Sequence, residues 1–83
     1  MAASVRVLAF AGAREVLGCS ELEFELAAPL TARALLARIV ERFPRLAPYA
    51  SSLRLAVNDR YAGWDEVVRP GDEVAILPPV AGG

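Results

Sequence analysis

Histidine and lysine are both absent from these 83 residues, and cysteine occurs once. Without histidine, the commonest general base and the commonest protein metal ligand are missing together. The single cysteine, Cys19, excludes an internal disulfide and a multi-cysteine metal site, and it reads as a small apolar filler with no assigned role. All nine basic residues are arginine, so no side-chain amine is present to react with an activated carboxyl group of the same chain. Nine basic against ten acidic residues leave a formal charge of -1, and no run of one sign is long enough for a nucleic-acid or membrane footprint. No segment approaches the roughly eighteen uninterrupted apolar residues of a membrane span. The amino terminus lacks the basic and apolar regions of a signal peptide, and a cytoplasmic location is expected.

What is abundant is apolar surface. The apolar fraction is 55%, above the usual roughly 45–50%, so one domain spanning residues 1–83 can fill a core and still leave apolar side chains outside it. Residues 5–10 read as a strand with Val5, Val7 and Ala9 on one face and Arg6, Leu8 and Phe10 on the other. Apolar groups on both faces place it centrally. Residues 12–18, bracketed by glycines, read as a turn containing at most one helical turn. Residues 21–26 alternate strictly, which puts three glutamates in water and Leu22, Phe24 and Leu26 in the core. The short link pairs this strand antiparallel to the first.

Pro29 interrupts the ladder, and Thr31 stands as an N-cap before a helix over residues 32–43. Its apolar stripe is Leu35, Leu36, Ile39, Val40 and Phe43. Pro44 ends it, and residues 45–52 read as a loop held down by Leu46 or Tyr49. A strand over residues 53–57 turns at Asn58-Asp59 into Tyr61 and Ala62. Residues 63–66 form a further turn in which Trp64 caps a satellite of the core. Pro70-Gly71-Asp72 signals a turn into a last strand over residues 73–77, apolar on both faces.

This order gives an α+β β-grasp roll, a mixed sheet of four to five strands packed on one main helix, with a flexible C-terminal Gly-Gly tail over residues 78–83. If the first and last strands lie side by side at the centre, they run parallel and aim the tail outward. Five residues from Pro79 to Gly83 span at most about 17 Å, enough to thread a narrow channel. Pro78 and Pro79 restrict the free tail, while Gly82 and Gly83 let a channel close on bare backbone. Ordering five residues costs on the order of 5–10 kcal/mol, so a docked tail needs compensation elsewhere. Leu8, Phe10, Ala75 and Leu77, on the sheet face away from the helix, are the candidate partner surface. Two terminal glycines alone also describe an ordinary loose end, and edge packing under the 45–52 loop would also account for Leu8, Phe10 and Leu77.

Several motifs, in this order, resemble the small subunit of molybdopterin synthase, a ubiquitin-like sulfur carrier family. They are Val7-Leu8-Ala9-Phe10-Ala11 with Arg14-Glu15 and Gly18, Ala56-Val57-Asn58, Gly71-Asp72-Glu73-Val74-Ala75, and Pro78-Pro79-Val80-Ala81-Gly82-Gly83. The resemblance implies that the Gly83 carboxylate is adenylated by an E1-like activating enzyme using ATP, then converted to a thiocarboxylate with sulfur from a sulfurtransferase or desulfurase. That sulfur would pass to a cyclic pyranopterin in the large subunit to form molybdopterin. The tail residues Pro78, Pro79, Val80, Ala81 and Gly82 would bind the partners' channels. Catalytic side chains would reside in the large subunit, in a heterotetramer, and the carrier itself would hold no cofactor and no metal. The family's usual Val-Ser-Gly-Gly reads Val-Ala-Gly-Gly here, which forgoes a hydroxyl contact. A terminal carboxylate, with a pKa of about 3.5, is an anion at neutral pH and a poor electrophile until another enzyme supplies a leaving group. Three alternatives stay open: sulfur carriage for thiazole, cysteine or transfer-RNA thiolation, a ubiquitin-like modifier of lysines, and a bare interaction module.

Overall fold

Two parallel strands from opposite ends of the chain form the centre of the molecule. The computed structural model describes residues 3–77. In it, β1 (Ser4–Ala9) pairs parallel with β7 (Glu73–Leu77), with Val7 opposite Val74 and Leu8 opposite Ala75. β2 (Glu21–Glu25) pairs antiparallel on the far side of β1. On the other side of β7 lies β4 (Arg54–Val57), followed by β5 (Arg60–Tyr61), giving the order β2-β1-β7-β4-β5. The expected mixed β-grasp sheet of four to five strands is therefore present with five, and the two strands with apolar groups on both faces, β1 and β7, are interior.

The inner face carries the core. Val5, Val7 and Ala9 of β1, Leu55 and Val57 of β4, and Val74 and Ile76 of β7 are all buried there. Against them packs α2 (Ala32–Arg42), which buries Ala32, Leu35, Leu36 and Ile39. Thr31 caps this helix as expected, its hydroxyl accepting from the Ala34 amide at 3.2 Å. Two further amides of its first turn are satisfied from outside the helix. Ala32 donates to the Glu66 carbonyl at 2.8 Å and Arg33 to the Trp64 carbonyl at 3.0 Å. Leu26 is fully buried. Leu22 and Phe24 are half-buried because β2 is an edge strand whose flank the helix covers incompletely.

Three local expectations need correction. Residues 11–17 are not a turn but about two turns of α-helix, α1 (Ala11–Leu17). Burial of Ala13 and packing of Val16 and Leu17 on the core stabilise a segment too short to hold itself. Gly18 ends it in the left-handed region at φ 79°, donating to the Arg14 carbonyl at 2.9 Å. The expected loop after α2 is instead a 3₁₀ segment (Pro44–Ser52). Pro44 starts it at no hydrogen-bond cost, since the first amides of a helix have no internal partner. Leu46 pins it in the core, while Tyr49 stays 52% exposed. Finally, β3 (Leu30–Thr31) and β6 (Val67–Val68) make a small second sheet that residue patterning did not indicate. Two residues are too few to show a period.

The turn joining β4 to β5 and the turn before β7 both follow their chemistry. Asn58 and Asp59 have φ of 51° and 70°, the left-handed pair that a two-residue β4–β5 turn requires. In the turn before β7, Pro70 is followed by Gly71 at φ 94°, and the Asp72 amide donates to the Arg69 carbonyl at 3.0 Å.

Candidate functional site

Alternation in β1 and β7 sends Arg6, Leu8, Glu73, Ala75 and Leu77 to the outer face of the sheet, away from α2. Parallel pairing sets Leu8 beside Ala75, antiparallel pairing sets Ala75 beside Ala56, and Ala56 faces Tyr61. A row of apolar side chains thus crosses four strands. Phe10, just past β1, and Leu77, at the end of β7, extend it toward the end of the sheet from which the chain continues to Pro78. Leu8, Phe10, Ala75 and Leu77, the four residues expected to meet a partner, are brought together. Together with Ala56 and Tyr61 they line a shallow depression of about 270 Å³.

Among the described residues no element covers the patch. Phe10 is 48% exposed and Tyr61 73% exposed. The packing alternative, in which the 3₁₀ segment covers these side chains, does not hold, because that segment packs on α1 and α2 instead. Tyr61 and Ala56 were not anticipated. Their membership depends on cross-strand register, which the alternation of residues 53–57 hints at for Ala56 and nothing hints at for the two-residue strand β5.

The border of the patch is charged and ordered. The Arg6 guanidinium reaches Glu21 at 3.1 Å and Glu73 at 3.8 Å across three strands. These exposed pairs add little stability but set the polar rim of an apolar surface. At the same end, the Asn58 amide group donates to Asp72 at 3.2 Å and its oxygen accepts from the Glu73 amide at 3.0 Å. This clip fastens the β4–β5 turn to the start of β7.

Among the described residues no polar or charged side chain is buried, and no group of three or more acidic, cysteine or histidine residues is placed to hold a metal ion. Nor is any helix long and apolar enough to cross a membrane. The tail residues Pro78, Pro79, Val80, Ala81, Gly82 and Gly83, to which the sequence assigns the chemistry, lie outside the described residues.

Comparison with known proteins extends the same reading. The chain is 37% identical over 79 residues to the molybdopterin synthase sulfur carrier subunit of Arabidopsis thaliana, covering 95% of this chain and 82% of the relative. With the subunit of that name from Chlamydomonas reinhardtii it shares 40% identity over 81 residues, covering 95% and 98% of the two chains. Among solved structures, a candidate molybdopterin converting factor subunit 1 from Pyrococcus furiosus superposes with a TM-score of 0.81 at 34% identity, covering 94% of this chain and 99% of that one. The model of the ThiS family matches residues 7–83, nearly the whole length including the diglycine end. With the parallel β1–β7 pair in its sheet and α2 packed on the inner face, the chain belongs to the ThiS family.

Proposed function

We propose that the chain is the sulfur carrier of molybdenum cofactor biosynthesis, acting in the cytoplasm as the small subunit of molybdopterin synthase. The observation that carries this reading is the uncovered apolar face of Leu8, Phe10, Ala75 and Leu77, which ends where β7 leads into Pro78-Pro79-Val80-Ala81-Gly82-Gly83. The names of the similar proteins from Arabidopsis thaliana and Chlamydomonas reinhardtii support the choice of pathway. An E1-like enzyme joins the Gly83 carboxylate to AMP from ATP and releases pyrophosphate. A persulfide on a sulfurtransferase or desulfurase then attacks the acyl-adenylate and displaces AMP, and a second thiol cleaves the resulting acyl disulfide, leaving a thiocarboxylate and a disulfide on the thiol partners. Docked on the large subunit, the tail presents this sulfur to a cyclic pyranopterin; once the sulfur is bonded to the pterin, water cleaves the carbonyl–sulfur bond, which leaves the sulfur on the pterin and regenerates the Gly83 carboxylate.

In this scheme the carrier contributes position and the partners contribute catalysis. Burial of the outer face offsets the cost of ordering the tail, on the order of 1–2 kcal/mol per residue. A rim of Arg6, Glu21 and Glu73 excludes misaligned partners by leaving their charges unpaired. Pull-down from a lysate containing candidate partners tests the pathway. Retention of a molybdopterin synthase large subunit, lost in Leu8→Asp, is the expected result. Retention of a thiazole synthase in its place would move the same carrier chemistry to another pathway.

A further inference from the structure

A second surface lies along α2, and the residues lining it are distinct from those lining the depression on the outer sheet face. Trp64 is the single tryptophan of the chain, and its turn is fixed by several bonds. Its carbonyl accepts from the Arg33 amide at 3.0 Å, the Glu66 amide donates to the Gly63 carbonyl at 3.0 Å, and Arg60 holds the Glu66 carboxylate at 3.2 Å. Two guanidinium groups lie near the half-buried indole, and of these Arg33 lines the trough. Arg33 lies 6.0 Å and Arg54 5.8 Å from the ring centroid. The ion pairs among the described residues use Arg6 and Arg60, so neither of these two cations meets a carboxylate there. Arg54 does donate to the neighbouring Leu53 carbonyl at 3.0 Å, which fixes its direction.

From Trp64 an open trough of about 480 Å³ runs along α2, floored by Leu36, Ala37 and Val40 and walled by Ala50 of the 3₁₀ segment. None of the residues lining it is acidic. The distance along the helix from Arg33 to Val40 is about 10 Å, the length of three or four extended residues. An open trough does not enclose a small molecule, which usually buries most of its surface when bound. It does suit a peptide lying in it, with acidic groups at the arginine end and an apolar side chain against Val40 and Ala50. Local positive charge on a chain of net charge -1 makes acidity the chemical signature of the occupant.

We propose that the Trp64 trough docks an acidic peptide segment of a partner protein that also carries an apolar side chain, leaving the outer sheet face free. A partner held there could remain bound while the outer face and the tail engage another protein. The proposal concerns residues far from Gly83 in function, and its test does not require the tail to be activated.

The probe is an acetylated, amidated pentapeptide Glu-Asp-Leu-Glu-Leu, titrated into the full chain while Trp64 fluorescence and amide chemical shifts are followed. Saturable binding below about 1 mM is expected, with shifts centred on residues 36–40, 50–51 and 64, and weakening as salt is raised. Arg33→Glu should weaken binding by roughly tenfold or more, whereas Arg38→Glu, an equal change of net charge outside the trough, should alter it by less than about twofold. Glutamate at position 33 falls in the first helical turn, where an acid is favourable, so loss of binding would not come from loss of fold. No response at about 1 mM, equal binding of a peptide with lysine at each acidic position, an equal effect of Arg38→Glu, or the same response to inorganic phosphate alone would each overturn the proposal.

Discussion

Asn58 shows how much of this fold can depend on one polar side chain. It adopts φ 51°, a conformation costly for most residues, and its side chain bonds both the Asp72 carboxylate and the Glu73 amide. Asn58→Ala should lower stability by about 1–2 kcal/mol, because two hydrogen bonds weakened by solvent exposure are lost and alanine tolerates the left-handed backbone less well than asparagine. Asn58→Gly, which removes the bonds but not the backbone freedom, should lose less, and urea unfolding of the two variants separates the contributions. Gly71 makes a complementary case. A Cβ there meets no atom within 4 Å, yet φ is 94°, so Gly71→Ala is destabilising through backbone conformation alone, by about 1–3 kcal/mol. A melting temperature unchanged by Gly71→Ala would mean that the turn relaxes at no cost.

The two faces of the sheet respond differently to substitution. Ile39 of α2 is 1% exposed and packed against the inner face, so Ile39→Ala should cost about 2–5 kcal/mol in urea unfolding. Phe10, on the uncovered side, should change stability by no more than about 0.5 kcal/mol when replaced by aspartate, while retention of the large subunit falls. Elements with a repeating pattern were legible in the sequence: β1, β2, β4, β7 and α2 all show their period, and two-sided apolarity placed β1 and β7 at the centre. Those that depend on distant partners were not. α1 forms because Ala13 finds the core, the 3₁₀ segment forms around Leu46 despite two prolines, and β3 and β6 are two residues each. The candidate surface was legible as single strands, Leu8 and Phe10 on one, Ala75 and Leu77 on the other. Its continuation through Ala56 to Tyr61 required the register of β4 on β7 and of β5 on β4.

At the scale of the molecule, the core of the described residues runs from Val5 to Ile76, and no buried polar side chain among those residues competes with the tail for a chemical role. Deleting Gly83 should therefore abolish sulfur loading while leaving the melting temperature nearly unchanged, because a terminal glycine has little surface to bury. A large drop in melting temperature would instead give the tail a part in the fold. The absence of lysine adds that the activated carboxyl group has no side-chain amine of its own chain to acylate, which favours transfer to sulfur. The most direct test is the intact mass of the protein after incubation with ATP, an E1-like activating enzyme and a sulfur source. The expected result is replacement of one oxygen by one sulfur, lost when Gly83 is deleted. An unchanged mass under conditions that load a known carrier would contradict the assignment.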